Sequence, residues 1–165
     1  MFYATVQDLI ARFGEPELVQ LTDRDELAQV KPAKAQTALD DAQSYVDGYV
    51  GMVYSLPLAG CAKPAPVPGN LTATEMVTPP LLTRLVCDVA RYYLYDDLAP
   101  EHEVYLRYKA ATKELEAIAS SAMKLTCPWG GDPGVSLTGE QPGDGEVLFE
   151  FSPRSVTDDT LRGFA

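Results

Sequence analysis

The chain has 165 residues and a formal net charge of −11, so it has room for one domain with extensions. The acidic balance argues against a sequence-specific nucleic-acid partner, because binding to phosphates needs clustered Lys and Arg. No apolar run approaches the roughly 20 residues of a membrane span, and the N-terminus shows no basic-then-apolar signal region, so we expect a cytoplasmic protein without a membrane partner.

Two short helices are predicted near the N-terminus. Thr5 and Asp8 have the spacing of a capping box, and Gly14 stands where a helix commonly ends. A second short helix is expected to begin around Pro16, followed by a turn and a further short helix or turn near Leu27.

Three longer helices are predicted, at about residues 33–53, 79–97 and 100–123. In each of them apolar residues recur at steps of three and four, which places them on one face. The middle helix carries two neighbouring apolar rows and is expected to be the central one. Along its polar edge, Asp88 is spaced to pair with Arg84 and with Arg91.

Helical periodicity is absent from residues 56–78, where prolines predict a long extended loop. The last forty residues are rich in Gly and Pro. They contain one alternating segment, Glu146–Phe151, that predicts a half-buried strand, with Val135–Thr138 as a candidate hairpin partner. A lone hairpin is marginal in water, so we expect it to lie on the helical body or to add to a neighbour's sheet edge.

These patterns together predict a mainly α fold. A small helical bundle of four to five helices occupies residues 1–125, including the proline-rich loop at 56–78. Residues 126–165 form an extended C-terminal arm that carries the candidate β-hairpin.

The three cysteines are widely spaced and odd in number, which indicates neither a disulfide framework nor a zinc site. Cys87 lies on an apolar helical face and is expected to be a buried, unreactive thiol. Cys61 and Cys127 fall in loops, where we expect free thiols kept by a reducing compartment.

Nothing in the sequence indicates catalysis, since it has no glycine-rich phosphate loop, nucleophile elbow or zinc-protease motif. Asp40, Asp41 and Asp47 could be metal-binding or acid–base carboxylates, but a solvated helix face accounts for them more simply. His102, the single histidine, is expected to be exposed. We therefore predict no enzyme, no cofactor and no metal site.

The nine tyrosines exceed what one small core can bury. Tyr93 and Tyr108 fall on apolar helical faces and are expected in the core. The others favour an oligomer or partner interface over plain core packing, because tyrosine combines a large apolar body with a polar tip. They include Tyr45, Tyr49, Tyr54, Tyr92, Tyr95 and Tyr105.

Motifs spread over most of the chain resemble those of one family. They include Tyr3-Ala4-Thr5, Asp8-Leu9-Ile10, Arg12-Phe13-Gly14, Glu17-Leu18, Gln20-Leu21-Thr22-Asp23, Ala42, Asp47-Gly48-Tyr49, Tyr54-Ser55-Leu56-Pro57-Leu58, Pro79-Pro80-Leu81-Leu82, Leu85, Cys87-Asp88-Val89-Ala90-Arg91-Tyr92, Leu94-Tyr95-Asp96-Asp97, Arg154, Thr160-Leu161 and Gly163-Phe164. Together they resemble the Mu-like phage and prophage head–tail adaptor proteins, with residues 60–76 and 123–145 as looser regions.

The resemblance implies a structural connector of the virion neck, made in the host cytoplasm. Members related in fold form a ring, typically of twelve subunits, below the portal. The implied partners are the portal protein, a stopper or tail-completion protein, and other copies of this chain. We expect the portal or neighbour contacts to come from the arm, at Val147, Phe149, Phe151, Arg154, Leu161, Arg162 and Phe164.

Two other interpretations remain open at this point. Another assembly role, such as a tail terminator or a scaffolding-type interaction protein, would use the same features. A small hydrolase or metal-binding enzyme would instead predict bound metal and sensitivity to substitution of Asp40 or His102.

Overall fold

Five helices and one two-stranded sheet make up the part of the chain that the computed structural model describes, which is residues 2–23, 29–95 and 101–137. The helices are α1 (Val6–Phe13), α2 (Glu15–Thr22), α3 (Pro32–Val50), α4 (Pro80–Leu94) and α5 (Glu103–Ala119). The strands are β1 (Cys61–Pro64) and β2 (Thr74–Val77). The mainly α prediction is confirmed for these residues.

Helix α1 begins at a capping box and ends at a glycine, which also forms the corner between α1 and α2. The predicted capping box is present: the Thr5 N–H donates to Asp8 Oδ2 at 2.8 Å, and the Asp8 N–H donates to Thr5 Oγ1 at 3.3 Å. Gly14 ends α1 with φ of 88°, a conformation that L side chains rarely adopt, and it also precedes the first residue of α2. The two helices therefore turn without a connecting loop.

The core forms where α3, α4 and α5 pack together, with α1 and α2 across one side. Helix α3 contributes to this core the small residues Ala35, Ala38 and Ala42, which let α4 approach closely, together with the larger Leu39, Val46 and Val50. Asp88 of α4 is also buried, and its predicted pairing with Arg84 is confirmed at 3.6 Å.

The long helices are shorter than predicted at their C-termini. Helix α3 stops at Val50 because Gly51 begins a turn, and α5 stops at Ala119. After α5, Ser121 takes a positive φ of 59° and the Met123 N–H returns to the Ala117 carbonyl, which closes the last turn. The predicted boundary between the last two helices falls in residues 96–100, outside the described part of the chain.

The proline-rich loop contains a β-hairpin that was not predicted. Strands β1 and β2 pair antiparallel, with Cys61 opposite Val77, and the ladder continues through the Ala65 N–H to the Ala73 carbonyl. The tip turns at Gly69, whose φ is 90°. Prolines are tolerated because both strands are edges of a two-stranded sheet and need few ladder donors.

A disulfide joins Cys61 at the base of this hairpin to Cys127 beyond α5. The prediction of free thiols at these two positions was therefore wrong. A separation of 66 residues hides the pairing in the sequence, and only the fold brings the two Cα atoms to 5.4 Å. Cys87 is buried, as predicted, and burial raises the pKa of its thiol to about 12.

The chain after α5 runs back along the residues that follow α3. Gly60 donates its N–H to the Pro133 carbonyl and Ser55 donates to Val135, both at 2.9 Å, while the Leu137 N–H donates to the Val53 carbonyl at 2.6 Å. Residues 135–137 thus pair with the body. Their predicted hairpin partner, residues 146–151, lies outside the described residues.

Arg91 ties α4 to α2. Its Nε and Nη2 atoms donate to the two carboxylate oxygens of Glu17 at 2.6 and 2.9 Å, and the Tyr95 hydroxyl donates to the same carboxylate at 3.0 Å. The guanidinium also lies 4.5 Å from the centre of the Phe13 ring. This bidentate, partly buried pair takes the place of the pairing with Asp88 that the spacing suggested.

Among the described residues, no helix has the length and apolar character needed to cross a membrane.

Replacing both Cys61 and Cys127 by serine is expected to lower the free energy of unfolding by about 2–4 kcal/mol, because the cross-link restricts the unfolded chain. Thermal unfolding of the wild type with and without reductant should reproduce the loss, whereas the double variant should be insensitive to reductant. Thiol titration of the denatured, unreduced wild type should find a single thiol, that of Cys87. A count of three would contradict the disulfide.

A double-mutant cycle on Arg91 and Glu17, each changed to alanine, is expected to give a coupling energy of about 1.5–3 kcal/mol, because the hydrogen bonds join charged groups away from solvent. The exposed pair Arg107–Glu103 in α5 is the matched control, with an expected coupling below about 1 kcal/mol. Chemical denaturation measures both cycles. Equal couplings would show that the Arg91 contact does not hold α2 in place.

Candidate interaction surface

The contact residues predicted from the sequence lie outside the described part of the chain. They are Val147, Phe149, Phe151, Arg154, Leu161, Arg162 and Phe164. Their role stays a prediction, and the surface described below is built from residues of the helical body.

The polar residues that were weighed for chemistry occupy structural or exposed positions. Asp47 accepts a hydrogen bond from the Tyr3 hydroxyl at 2.6 Å, while Asp40 and Asp41 are exposed on α3. His102 is exposed, as predicted, and its Nδ1 accepts the N–H of the second residue of α5 at 3.2 Å. Within residues 2–23, 29–95 and 101–137, no group of three or more His, Cys, Asp or Glu is placed to hold a metal ion.

Six tyrosines from α3, α4 and α5 meet along one face of the bundle. This tyrosine cluster consists of Tyr45, Tyr49, Tyr92, Tyr93, Tyr105 and Tyr108. Tyr92 and Tyr108 stack with ring centres 4.1 Å apart and planes 14° from parallel, which joins α4 to α5.

Tyr45 of α3 links the other rings of the cluster. Its ring centre lies 5.2 Å from that of Tyr49 and 6.4 Å from that of Tyr93, in edge-to-face arrangements. The Tyr45 and Tyr49 hydroxyls are hydrogen-bonded at 3.1 Å, which raises the pKa of Tyr49 to about 12. Burial raises the pKa of Tyr108 as well.

The structure changes which tyrosines belong to the surface. Tyr93 was predicted to be in the core, but its side of α4 is not covered and it is 38% exposed. Tyr54, which was assigned to the surface excess, is 5% exposed, because its hydroxyl accepts the Leu125 N–H at 3.0 Å inside the body. The number of tyrosines therefore does exceed what the core buries, as predicted, but the tyrosines outside the core include Tyr93 and exclude Tyr54.

The hairpin adds a second exposed apolar region that the sequence did not indicate. Leu71 at its tip is 84% exposed, and Val67 and Met76 are about half exposed. The available signal was the Pro68-Gly69 turn between two segments of equal length, which the surrounding prolines obscured. Both strands are also sheet edges, and an exposed sheet edge can accept a further strand from a partner protein.

This arrangement can bind another protein surface with little loss of conformational freedom. Each ring of the tyrosine cluster is already held by its neighbours, so binding freezes few further rotamers. Tyrosine hydroxyls at the rim supply hydrogen bonds, while the ring faces supply apolar area. The face is suited to protein contact and holds no arrangement for chemistry among the described residues.

Comparisons with known proteins agree with the resemblance to Mu-like phage proteins. The sequence model of the family described as Bacteriophage Mu, Gp36 matches residues 3–136. Gene product J of Escherichia phage Mu is 33% identical over 153 residues, covering 91% of this chain and 89% of that protein. The Mu-like prophage FluMu protein gp36 of Haemophilus influenzae is 30% identical over 125 residues, or 76% of each chain.

The match to gene product J is longer than the match to the family model and extends past residue 136, so part of the arm is shared as well. The family match covers the tyrosine cluster, both strands of the hairpin and both cysteines of the disulfide. The chain belongs to the Mu Gp36 family of bacteriophage proteins.

Proposed function

We propose that the chain is a structural head–tail adaptor, which forms a ring below the portal and links the phage head to the stopper or tail. Membership of the Mu Gp36 family supports a role in a Mu-like phage particle. The observation that carries the proposal is the tyrosine cluster, a pre-ordered aromatic face that the monomer leaves partly exposed. The proposed role is not enzymatic and needs no cofactor.

The tyrosine cluster fits a contact that repeats around a ring. In a closed ring each subunit uses one face to bind a different face of the next, so each subunit carries two unlike contact regions. The cluster on α3, α4 and α5 is one such region, and the exposed hairpin tip at Leu71 is a second. Both are apolar, and they lie on different elements of the fold.

The arm supplies a third contact under this proposal. Beyond Leu137, which is hydrogen-bonded to Val53, another 28 residues follow, and when fully extended they would span about 95 Å. That reach is sufficient for a portal protein above the ring or for a neighbouring copy. The residues 147–151 and the terminal Leu161 and Phe164 are the contacts we propose for it.

The charge of the chain suits a channel through which DNA moves. A ring whose subunits each carry −11 repels the duplex, whereas a basic ring would retain it through phosphate contacts. The proposed partners are therefore proteins: the portal, a stopper or tail-completion protein, and further copies of this chain. The proposed location is the virion neck, after assembly in the host cytoplasm.

Cryo-electron microscopy of particles that carry a labelled copy of the chain tests the proposal directly. We expect a ring of density immediately below the portal, into which the α1–α5 body fits. Density at the far end of a tail, or in immature heads but not in finished particles, would overturn the adaptor role. The first result would favour a tail terminator and the second a scaffolding-type protein.

Changing Tyr93 and Tyr105 together to alanine is expected to reduce joining of the protein to heads by about tenfold or more, because each truncated aromatic anchor costs about 2 kcal/mol. The measurement is incorporation into particles that lack the wild-type protein. Leu106→Ala, an exposed residue of α5 outside the cluster, is the control. Normal incorporation of the double variant would show that the cluster is not a contact surface.

A further inference from the structure

Three arginines of this acidic protein line one open cleft. The cleft has a volume of about 300 Å³ and lies where α1, α4 and α5 meet. Its walls are Arg12, Phe13, Arg84, Asp88 and Arg107, and we call it the arginine cleft. The whole chain has 13 basic residues against 24 acidic ones, so three arginines around one cleft concentrate basic side chains in an acidic protein.

The arginine cleft retains binding capacity beyond its internal ion pairs. Arg84 is the most engaged, because it contacts both Asp88 and Glu114. Among residues 2–23, 29–95 and 101–137, Arg107 pairs with Glu103 alone, at 2.6 Å, and both of these side chains are more than half exposed. Arg12 is exposed, and no carboxylate of the described residues lies within 4 Å of its guanidinium nitrogens.

Asp88 sets what kind of anion the cleft accepts. It is only 9% exposed, and burial raises the pKa of its carboxyl, against the opposing effect of Arg84, Arg107 and Arg12. Asp88, Glu114 and Glu103 together offset most of the charge of the three guanidinium groups, and Arg12 is the one of the three without a carboxylate partner among the described residues. Single carboxylates on a peptide match that charge, since guanidinium forks bind carboxylates with two parallel hydrogen bonds.

A nucleic acid fits the cleft poorly. Its phosphates recur at short intervals, so several of them would face a chain of net charge −11 for each one that Arg12 or Arg107 could bind. Phe13 in the wall favours a peptide as well, because its ring offers apolar contact to the methylene groups of Glu or to a neighbouring apolar side chain.

The chain itself contains a segment of complementary charge. Between Lys124 and Arg154 there is no basic residue, and the stretch beyond Leu137 is acidic and rich in Gly and Pro. Its acidic residues before Arg154 are Glu140, Asp144, Glu146 and Glu150. Spacings of two to four residues let successive carboxylates engage guanidinium groups on different walls of the cleft.

We propose that the arginine cleft of one copy binds the carboxylates of residues 138–153 from a neighbouring copy. The contact joins two different surfaces of the same chain, so it repeats from copy to copy, and it forms a ring when the rotation between successive copies closes. It adds to the adaptor proposal a specific contact between neighbouring subunits. It rests on that proposal only for the location of the ring in the particle.

Photo-cross-linking of the full-length chain tests this contact. A benzophenone amino acid replaces Ala11, which is exposed beside Arg12, and equal amounts of isotopically heavy and light chains are mixed. Cross-linked peptides are identified by mass spectrometry, both in the free protein and in particles. We expect cross-links to residues 138–153, with heavy and light chains joined to each other.

Variants separate a charge contact from simple proximity. Arg12→Gln with Arg107→Gln is expected to reduce these cross-links about tenfold or more, because two charge-assisted contacts are lost. Lys113→Gln, which removes one charge from an exposed position of α5 outside the tyrosine cluster, is the control, and Arg107→Gln alone is compared with it. Circular dichroism and thermal unfolding establish that all of these variants keep the wild-type fold.

A charge exchange completes the test. Chains carrying Arg12→Glu and Arg107→Glu should cross-link again when mixed with chains carrying Glu140→Arg and Glu146→Arg. Four results would each overturn the proposal. The cross-links could lead to other segments, or connect only chains of the same isotopic form. They could also fall equally in the control variant, or be absent from both the free protein and the particles. A ring found away from the portal would overturn the adaptor role and leave this contact standing.

Discussion

The close packing of α3 on α4 is the contact on which the rest of the body depends. Alanines at 35, 38 and 42 remove the side-chain bulk that would hold the helices apart, so the larger residues of α4 fill the space between them. Once these two helices are close, α5 lies alongside both, and the rings of Tyr45, Tyr92 and Tyr108 meet at their open edge. The aromatic face is thus a consequence of small residues elsewhere.

Sequence periodicity was sufficient to predict the helices, but it could not predict contacts between distant segments. The Thr5–Asp8 cap and the Gly14 corner are local, and both were predicted correctly. The Cys61–Cys127 disulfide depends on two segments that meet only after folding, and no spacing rule reveals it. The hairpin was missed for a related reason: its prolines are typical of a loop, and even the nearest paired residues, Pro64 and Thr74, are ten positions apart.

The sequence allowed the residue type of the candidate surface to be predicted, but not which tyrosines form it. Counting tyrosines against the capacity of one core correctly indicated a surplus. Assigning them by apolar rows failed at Tyr93, because a row can continue past the edge of the neighbouring helix and face solvent. The prediction for Tyr54 was wrong in the opposite direction: it was expected outside the core but is buried, since a backbone N–H inside the body donates to its hydroxyl.

The fastening of residues 125–137 to the body has a mechanical consequence. Between α5 and the start of the arm, the chain is held in turn by Tyr54, by the disulfide at Cys127 and by the hydrogen bonds that end at Leu137. Tension on the chain beyond Leu137 is therefore borne first by the hydrogen bonds of Leu137, Val135 and Pro133 and then by the disulfide of Cys127 to the base of the hairpin. Helix α5 is shielded from that load and does not unwind from its end.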